Sequence, residues 1–480
     1  MEARLRVSPA RSTWLKYGGF VGSVGGARVV GAMLTAITFP LILRRLGVEM
    51  YGIWSYVIAV MSFLDLLANP GLSNHAGQQV AARRTEAADV VSDSLLLRGL
   101  LGVLVVGVIF TLAAFEPRVE AARLLRFYGV SITLINLTSS EYLLSSLELF
   151  HERSLLMVTQ QALYTLGVVL MVKSPGDYMW VPGSILLSAL PTNLAGWIFL
   201  KRTGLRIRLG LHTERWWALM APSGHYALAT TMSTVYHRTG HLLVRWFLGE
   251  HALGLYAAAT RLVDFVRNLV SIGFMVITPR VARSADSPNA LRRLARFSIA
   301  GIAVVGLPLM VGILTTAQVL VPLVLGAQYA ESARLLPWLA AYVVVAPLAA
   351  FFSGTVLYAL GKHREYLIST ATGAAVAVVA YLLLVPLSGT RGASIAFVLG
   401  EAVVAAVAYR MAPEAARDVW NSGLLKVAVA GTGLMAVALV AARLSRVPTL
   451  AAAIASGALY VVFCGWLSRG RIRTEMQRGD

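Results

Sequence analysis

Arginines stand where this chain is otherwise most apolar. Arg28 falls midway along the first hydrophobic run, between Gly18 and Pro40, and Arg261 and Arg267 sit with Asp264 inside another. A charged side chain at the centre of a membrane helix costs about 2.5–3.5 kcal/mol on insertion scales, so each of these groups needs a carboxylate, water or an anionic ligand. A guanidinium holds phosphate oxygens through paired N–H donors. The chemistry on offer is therefore capture of an anionic, phosphate-bearing ligand in a polar, partly cationic cavity. At helical spacing Gly31 and Thr35 share the face of Arg28. Gly18, Gly22 and Gly26 form a separate small-residue stripe that lets a neighbouring helix approach. Arg261, Asp264, Asn268 and Ser271 follow at i, i+3, i+7 and i+10, with Arg267 one step aside. Asp264 can neutralise either arginine locally, and two arginines against one aspartate leave that stretch cationic.

A second polar series, Thr230, Thr234, His237 and His241, runs at i, i+4, i+7 and i+11 with Arg238 alongside. Histidines there either relay protons or stand solvated at the membrane interface. The other acidic residues within apolar runs are Asp65, Glu141, Glu148 and Glu401, with Glu141, Ser145 and Glu148 on one helical face. Glu141 and Glu401 lie deeper and suit either pairing with a cavity arginine or binding a coupling H⁺ or Na⁺. Asp65, just ahead of Asn69-Pro70, suits a gate or a helix end. No spacing points to a metal site. The single Cys464 excludes a disulfide within the chain and a cysteine-based zinc site.

These side chains must be carried by membrane helices. The 480 residues are 57% hydrophobic, and the apolar runs approach the roughly 20 residues that cross a bilayer. They predict an all-α membrane protein of about fourteen transmembrane helices, at 17–43, 50–68, 95–115, 124–149, 155–172, 180–200, 217–243, 252–278, 297–325, 335–360, 366–386, 391–410, 424–442 and 448–467. The first run is too long for a cleaved signal peptide and reads as a retained helix. Lys and Arg concentrate before it (Arg4, Arg6, Arg11, Lys16), in alternate loops (Arg83, Arg84, Lys201, Arg202, Arg206, Arg208) and in the C-terminal tail. The positive-inside rule then places both termini in the cytoplasm. The net charge of +19 is accounted for by anionic lipid headgroups rather than nucleic acid. The loops leave no room for an ATPase or a catalytic domain, and no Walker, H-E-x-x-H or C-x-x-C motif occurs, so the chain is not expected to be an enzyme.

A repeat underlies the pattern. Leu46-Gly47 followed by Gly52 and Trp54 returns 202 residues later as Leu248-Gly249 followed by Gly254 and Tyr256. Each block falls between the first two helices of a six-helix set, and such repeats are common in secondary transporters. The first block, Arg44-Arg45-Leu46-Gly47-Val48-Glu49-Met50-Tyr51-Gly52-Ile53-Trp54, resembles the start of the second helix in polysaccharide and O-antigen flippases. The second, from Leu248 to Ala259 and followed by Arg261-Leu262 and Pro279, does so too, as does Leu325-Gly326-Ala327-Gln328-Tyr329 after the ninth helix. These proteins belong to the multidrug/oligosaccharidyl-lipid/polysaccharide exporter superfamily, with the lipid II flippase and the multidrug and toxin extrusion antiporters.

The resemblance covers the whole chain in helix number and order. It implies two pseudo-symmetric six-helix lobes in a V, residues 1–205 and 206–415, and an appended helix pair with a cytoplasmic tail, 416–480. Helices thirteen and fourteen carry no charge in their interiors, as suits helices facing lipid or a tail groove. The function implied is flipping of a polyprenyl-diphosphate-linked oligosaccharide across a bacterial inner membrane, beside polysaccharide polymerase or ligase machinery. Arg28, Arg261, Arg267 and Arg238 would hold the diphosphate, and Thr35, Thr234, His237, His241 and Asn268 would line the cavity. The rival within the superfamily, a multidrug cation antiporter, would call for carboxylates where these arginines stand.

Overall fold

The computed structural model describes residues 9–82, 87–203, 213–271, 273–419, 422–445 and 447–477, and all the regular structure among them is helical. The basic residues Arg4, Arg6, Arg83, Arg84, Arg206 and Arg208 lie outside the described residues, as do the surroundings of Gly18 and Gly22 and the side chains of Thr230 and Ser271. The helices are α1 (Pro9–Ala68), α2 (Leu72–Ala82), α3 (Ala87–Ala114), α4 (Val119–Thr138), α5 (Glu141–Ser146), α6 (Phe150–Met171), α7 (Trp180–Arg202) and α8 (Thr213–Ser271). They continue with α9 (Phe274–Ala282), α10 (Pro288–Leu325), α11 (Leu336–Leu339), α12 (Tyr342–Ala349), α13 (His363–Met411), α14 (Glu414–Arg417), α15 (Gly423–Leu444) and α16 (Thr449–Gln477). Eight helices among the described residues are long and apolar enough to cross a membrane. Inside them many of the Ser and Thr hydroxyls turn back onto the preceding turn, as Thr35 does to the Gly31 carbonyl at 2.8 Å, which satisfies them within their own helix.

The repeat read in the sequence has a backbone counterpart. α1 kinks at Gly47 (φ 76°, ψ 172°) and α8 at Gly249 (φ 83°, ψ −179°), the same conformation at equivalent positions. That region of backbone space is essentially reserved for glycine. α13 kinks at Gly389.

The chain forms two compact units. The first comprises Met1–Leu46 and Met61–Ala227, and the second Gly47–Val60 and Leu228–Asp480. In the first unit the expected fourth span is broken. α4 stops where Ser139 turns extended (φ −60°, ψ 125°), and α7 supplies the hydrogen bonds this break frees. Asn193 Nδ2 donates to the Ile135 carbonyl at 3.2 Å and to Thr138 Oγ1 at 3.0 Å. Trp197 Nε1 donates to the Thr138 carbonyl at 2.7 Å. Gly196 lies against Ser140 so closely that a Cβ there would collide with its hydroxyl.

Arg45 closes the other end of this unit. Its Nη1 donates to the carbonyls of Val168, Val169 and Val172 at 3.1, 2.8 and 2.6 Å, which caps the C-terminus of α6 with a positive charge. Charge-assisted hydrogen bonds of this kind contribute about 1.5–3 kcal/mol. Arg45→Ala is expected to lower the thermal midpoint of the purified protein by several degrees, and Arg45→Lys by less, as read by intrinsic fluorescence in detergent.

In the second unit the described parts of α15 and α16 pack on α10 through Val311, Val427, Met435, Leu439, Tyr460 and Cys464. Tyr460 OH donates to the Val304 carbonyl at 2.6 Å. The residues 47–60 of α1 also belong here. Tyr329 OH donates to the Gly47 carbonyl at 3.0 Å, and the Arg245 guanidinium lies 3.7 Å from the ring centre of Tyr56. The two repeat motifs meet each other symmetrically. A Cβ on Gly52 would collide with the Glu250 carbonyl, and one on Gly254 with the carbonyl of Val48, the residue equivalent to Glu250.

Candidate functional site

The first unit carries Arg28, Thr35, Asp65 and Glu141. Arg28 is exposed on α1. Asp65, in the last turn of α1, accepts a hydrogen bond from Asn136 Nδ2. Glu141 does not meet Arg28 directly. It binds Arg153 in the first turn of α6, whose Nη2 and Nε both donate to Oε1, at 2.6 and 3.0 Å. Both members of this pair lie within Coulombic range of Arg28. Glu148 does not share a helical face with Glu141 and Ser145 as the spacing predicts. α5 ends at Ser146, and Glu148 takes φ 61° in the turn that follows.

Two residues of this unit escaped the sequence reading. Arg153 opens a helix beside His151 and Glu152, where basic residues ordinarily mark the membrane surface. Arg98 is buried, 4% exposed, with its guanidinium 5.5 Å from the ring centre of Tyr142. Its Nε and Nη1 have no hydrogen-bond partner among the described residues. The one signal for it was a lone charge in the run Leu95-Leu96-Leu97-Arg98-Gly99-Leu100.

The second unit gathers most of the other candidates into one network. On α8, Asp264 Oδ1 lies 3.7 Å from Arg267 Nε, so Arg267 is the arginine it neutralises. Arg267 Nη2 donates to Asn268 Oδ1 at 2.8 Å. Arg261 is exposed. Tyr342 of α12, fully buried, donates to Asp264 Oδ1 at 2.8 Å. The same hydroxyl lies 3.3 Å from His237 Nε2, which is also 3.2 Å from Glu401 Oε1 of α13. Glu401 is buried, 3% exposed, and Phe397 packs on both the His237 and Tyr342 rings.

Donors and acceptors fix a proton here. His237 Nδ1 lies 2.9 Å from the Ser233 carbonyl, which can only accept, so Nδ1 carries a hydrogen. Nε2 then faces a carboxylate oxygen and a tyrosine oxygen whose own hydrogen is committed to Asp264. The contact is favourable only if one proton sits between His237 and Glu401, on either partner. His241, by contrast, is buried with Nδ1 unpartnered among the described residues and its ring against Tyr256. Arg238 and Thr234 are half-buried on the same helix. No group of three potential metal ligands occurs among the described residues.

A chain whose described regular structure is all helical, with eight helices long and apolar enough to cross a membrane, defines a polytopic membrane protein. The sequence profile of the polysaccharide biosynthesis protein family matches residues 41–334, more than half of the chain, and the chain belongs to that family. Its fold is similar to that of the lipid II flippase MurJ in an inward closed conformation, with TM-score 0.75 and 13% identity over 94% of this chain and 99% of that one. It is also similar to an inward-facing multidrug resistance MATE family transporter of the MOP superfamily, with TM-score 0.61 and 18% identity over 79% and 93% of the two chains. The Vibrio cholerae MATE transporter VcmN gives TM-score 0.59 and 13% identity over 86% and 100%. No curated protein matches the chain at a significant level.

Proposed function

We propose that this protein is a flippase that carries a polyprenyl-diphosphate-linked oligosaccharide from the cytoplasmic to the outer leaflet of a bacterial inner membrane, by alternating access, for surface polysaccharide synthesis. Family membership supports the polysaccharide context. The observation that carries the anionic cargo is the exposure of Arg28, among apolar residues of α1, and of Arg261, close in sequence to Asp264 and Arg267 on α8. A guanidinium left exposed there has a use for an anion, and a diphosphate matches it in charge and in hydrogen-bond geometry. Arg238 and Arg267 add cationic character in the second unit. Fourteen crossings with both termini cytoplasmic complete the reading, and a polymerase or ligase would act on the delivered glycan.

The test is deletion of the gene, with surface polysaccharide and lipid-linked precursor measured together. Precursor should accumulate on the cytoplasmic face while surface glycan is lost. Wild type should restore export, whereas Arg28→Gln and Arg261→Gln should each cut it at least tenfold at equal protein level. Full export by both glutamine variants would sink the cationic site, and normal glycan with new drug sensitivity would favour a multidrug antiporter.

A further inference from the structure

The Arg153–Glu141 pair is built by an unusual piece of chain. After the break at Ser139, α5 runs only from Glu141 to Ser146, and the chain reverses through Leu147–Leu149 into α6. Glu148 in that turn is the only non-glycine residue with positive φ among the described residues. The reversal sets the first residue of α5 over the first turn of α6. The result is a guanidinium giving two N–H bonds to one carboxylate oxygen, the approach it would also make to a phosphate oxygen.

Exposure is lopsided. The Glu141 side chain is 55% exposed and that of Arg153 20%, so the carboxylate is the more accessible member of the pair. Arg28, exposed on α1, is within Coulombic range of both. Glu141 thus bonds one cation, Arg153, and interacts with a second, Arg28, only at longer range. A pair with one half-exposed partner adds only modestly to stability, so its own strength does not account for the strained turn at Glu148.

We infer that Glu141 is a placeholder for the substrate's phosphate. Arg153 and Arg28 form an anion-binding site in the first unit, and a lipid diphosphate displaces the Glu141 carboxylate from Arg153 when it binds. The displaced carboxylate stays tethered beside the site and competes for Arg153, which keeps binding reversible and favours release. The inference rests on the flippase reading above and adds to it a site, Arg153 as a contact residue and Glu141 as an internal competitor.

The test uses the full chain in nanodiscs of uncharged lipid, with farnesyl diphosphate as the probe and farnesol as control. Wild type should bind the diphosphate and not the alcohol, and inorganic pyrophosphate should compete. Arg153→Gln should weaken binding by about tenfold or more, the loss of charge-assisted hydrogen bonds. Glu141→Gln should tighten it severalfold and melt at the wild-type temperature. The double variant should bind as poorly as Arg153→Gln alone. If Glu141→Gln binds no better than wild type, or Arg153→Gln binds as well, the pair is only a tie between α5 and α6 and the inference is overturned. Indifference of the wild type to farnesyl diphosphate would overturn the diphosphate reading itself, and this inference with it.

Discussion

Valine at Gly254 is expected to abolish export while the equivalent change at Gly26 is tolerated. A Cβ at Gly254 collides with the Val48 carbonyl and comes within 2.9 Å of the Val48 side chain, whereas nothing lies within 4 Å of the corresponding position on Gly26. The obstacle is backbone, and no rotamer change relieves it. Overpacking of a close contact costs about 1–3 kcal/mol even where side chains can yield, so the two helices must separate. Gly52 presents the same collision to the Glu250 carbonyl, and its Cβ would also lie 3.0 Å from the Gly254 amide nitrogen. Gly52→Val should therefore match Gly254→Val, and Gly52→Ala should already be severe. The measurement is restoration of surface polysaccharide in the deletion strain, with fluorescence-detected size exclusion to score folded protein. Wild-type export by Gly254→Val at normal protein level would show that the close approach of the two repeat motifs is dispensable.

That contact was half legible in the sequence. The repeat Leu-Gly with a second glycine five residues on was visible at both sites, and both Gly47 and Gly249 adopt the positive φ that makes glycine necessary there. What the letters could not say is that the two copies touch, because a contact between residues 202 apart is a property of packing. The break in α4 was hidden for a similar reason. No proline or glycine marks Asn136-Leu137-Thr138-Ser139-Ser140, and the helix can stop only because Asn193 and Trp197 of α7 take up its hydrogen bonds. The reach of Glu141 towards Arg153 depends on that break, so uninterrupted helical periodicity misassigned Glu148 to its face. In the second unit the periodicity served better. Asp264, Arg267, Asn268, His237 and Glu401 were all picked out as polar residues on apolar helices. Tyr342, which joins His237 to Asp264, was not, since one tyrosine in an apolar run looks like any buried aromatic residue.

The largest effect in that network is expected from Glu401, and it should depend on what replaces it. Glu401→Ala leaves His237 Nε2 facing only the Tyr342 oxygen in a site closed by Phe397. Removing one partner of a buried ionic pair costs about 3–5 kcal/mol where the survivor stays fully buried, and less here because His237 is half-buried. The alanine variant, which also leaves a cavity at a buried position, should melt several degrees lower. Glu401→Gln keeps the volume and offers His237 a carbonyl acceptor, so it should fold nearly as wild type. It cannot, however, hold the proton that the geometry places between His237 and Glu401. If that proton only stabilises the fold, the glutamine variant will export at the wild-type rate. If it must move during the cycle, export will fall at least tenfold with the thermal midpoint unchanged. His237→Gln should then show the same separation of folding from export, since it empties the other end of the same hydrogen bond. The second pattern is the expected one, because a merely structural core has no need of a chain of titratable groups running from buried Glu401 through His237 and Tyr342 to Asp264 and Arg267. A glutamine variant at Glu401 that both folds and exports normally would leave that chain with a role in packing alone.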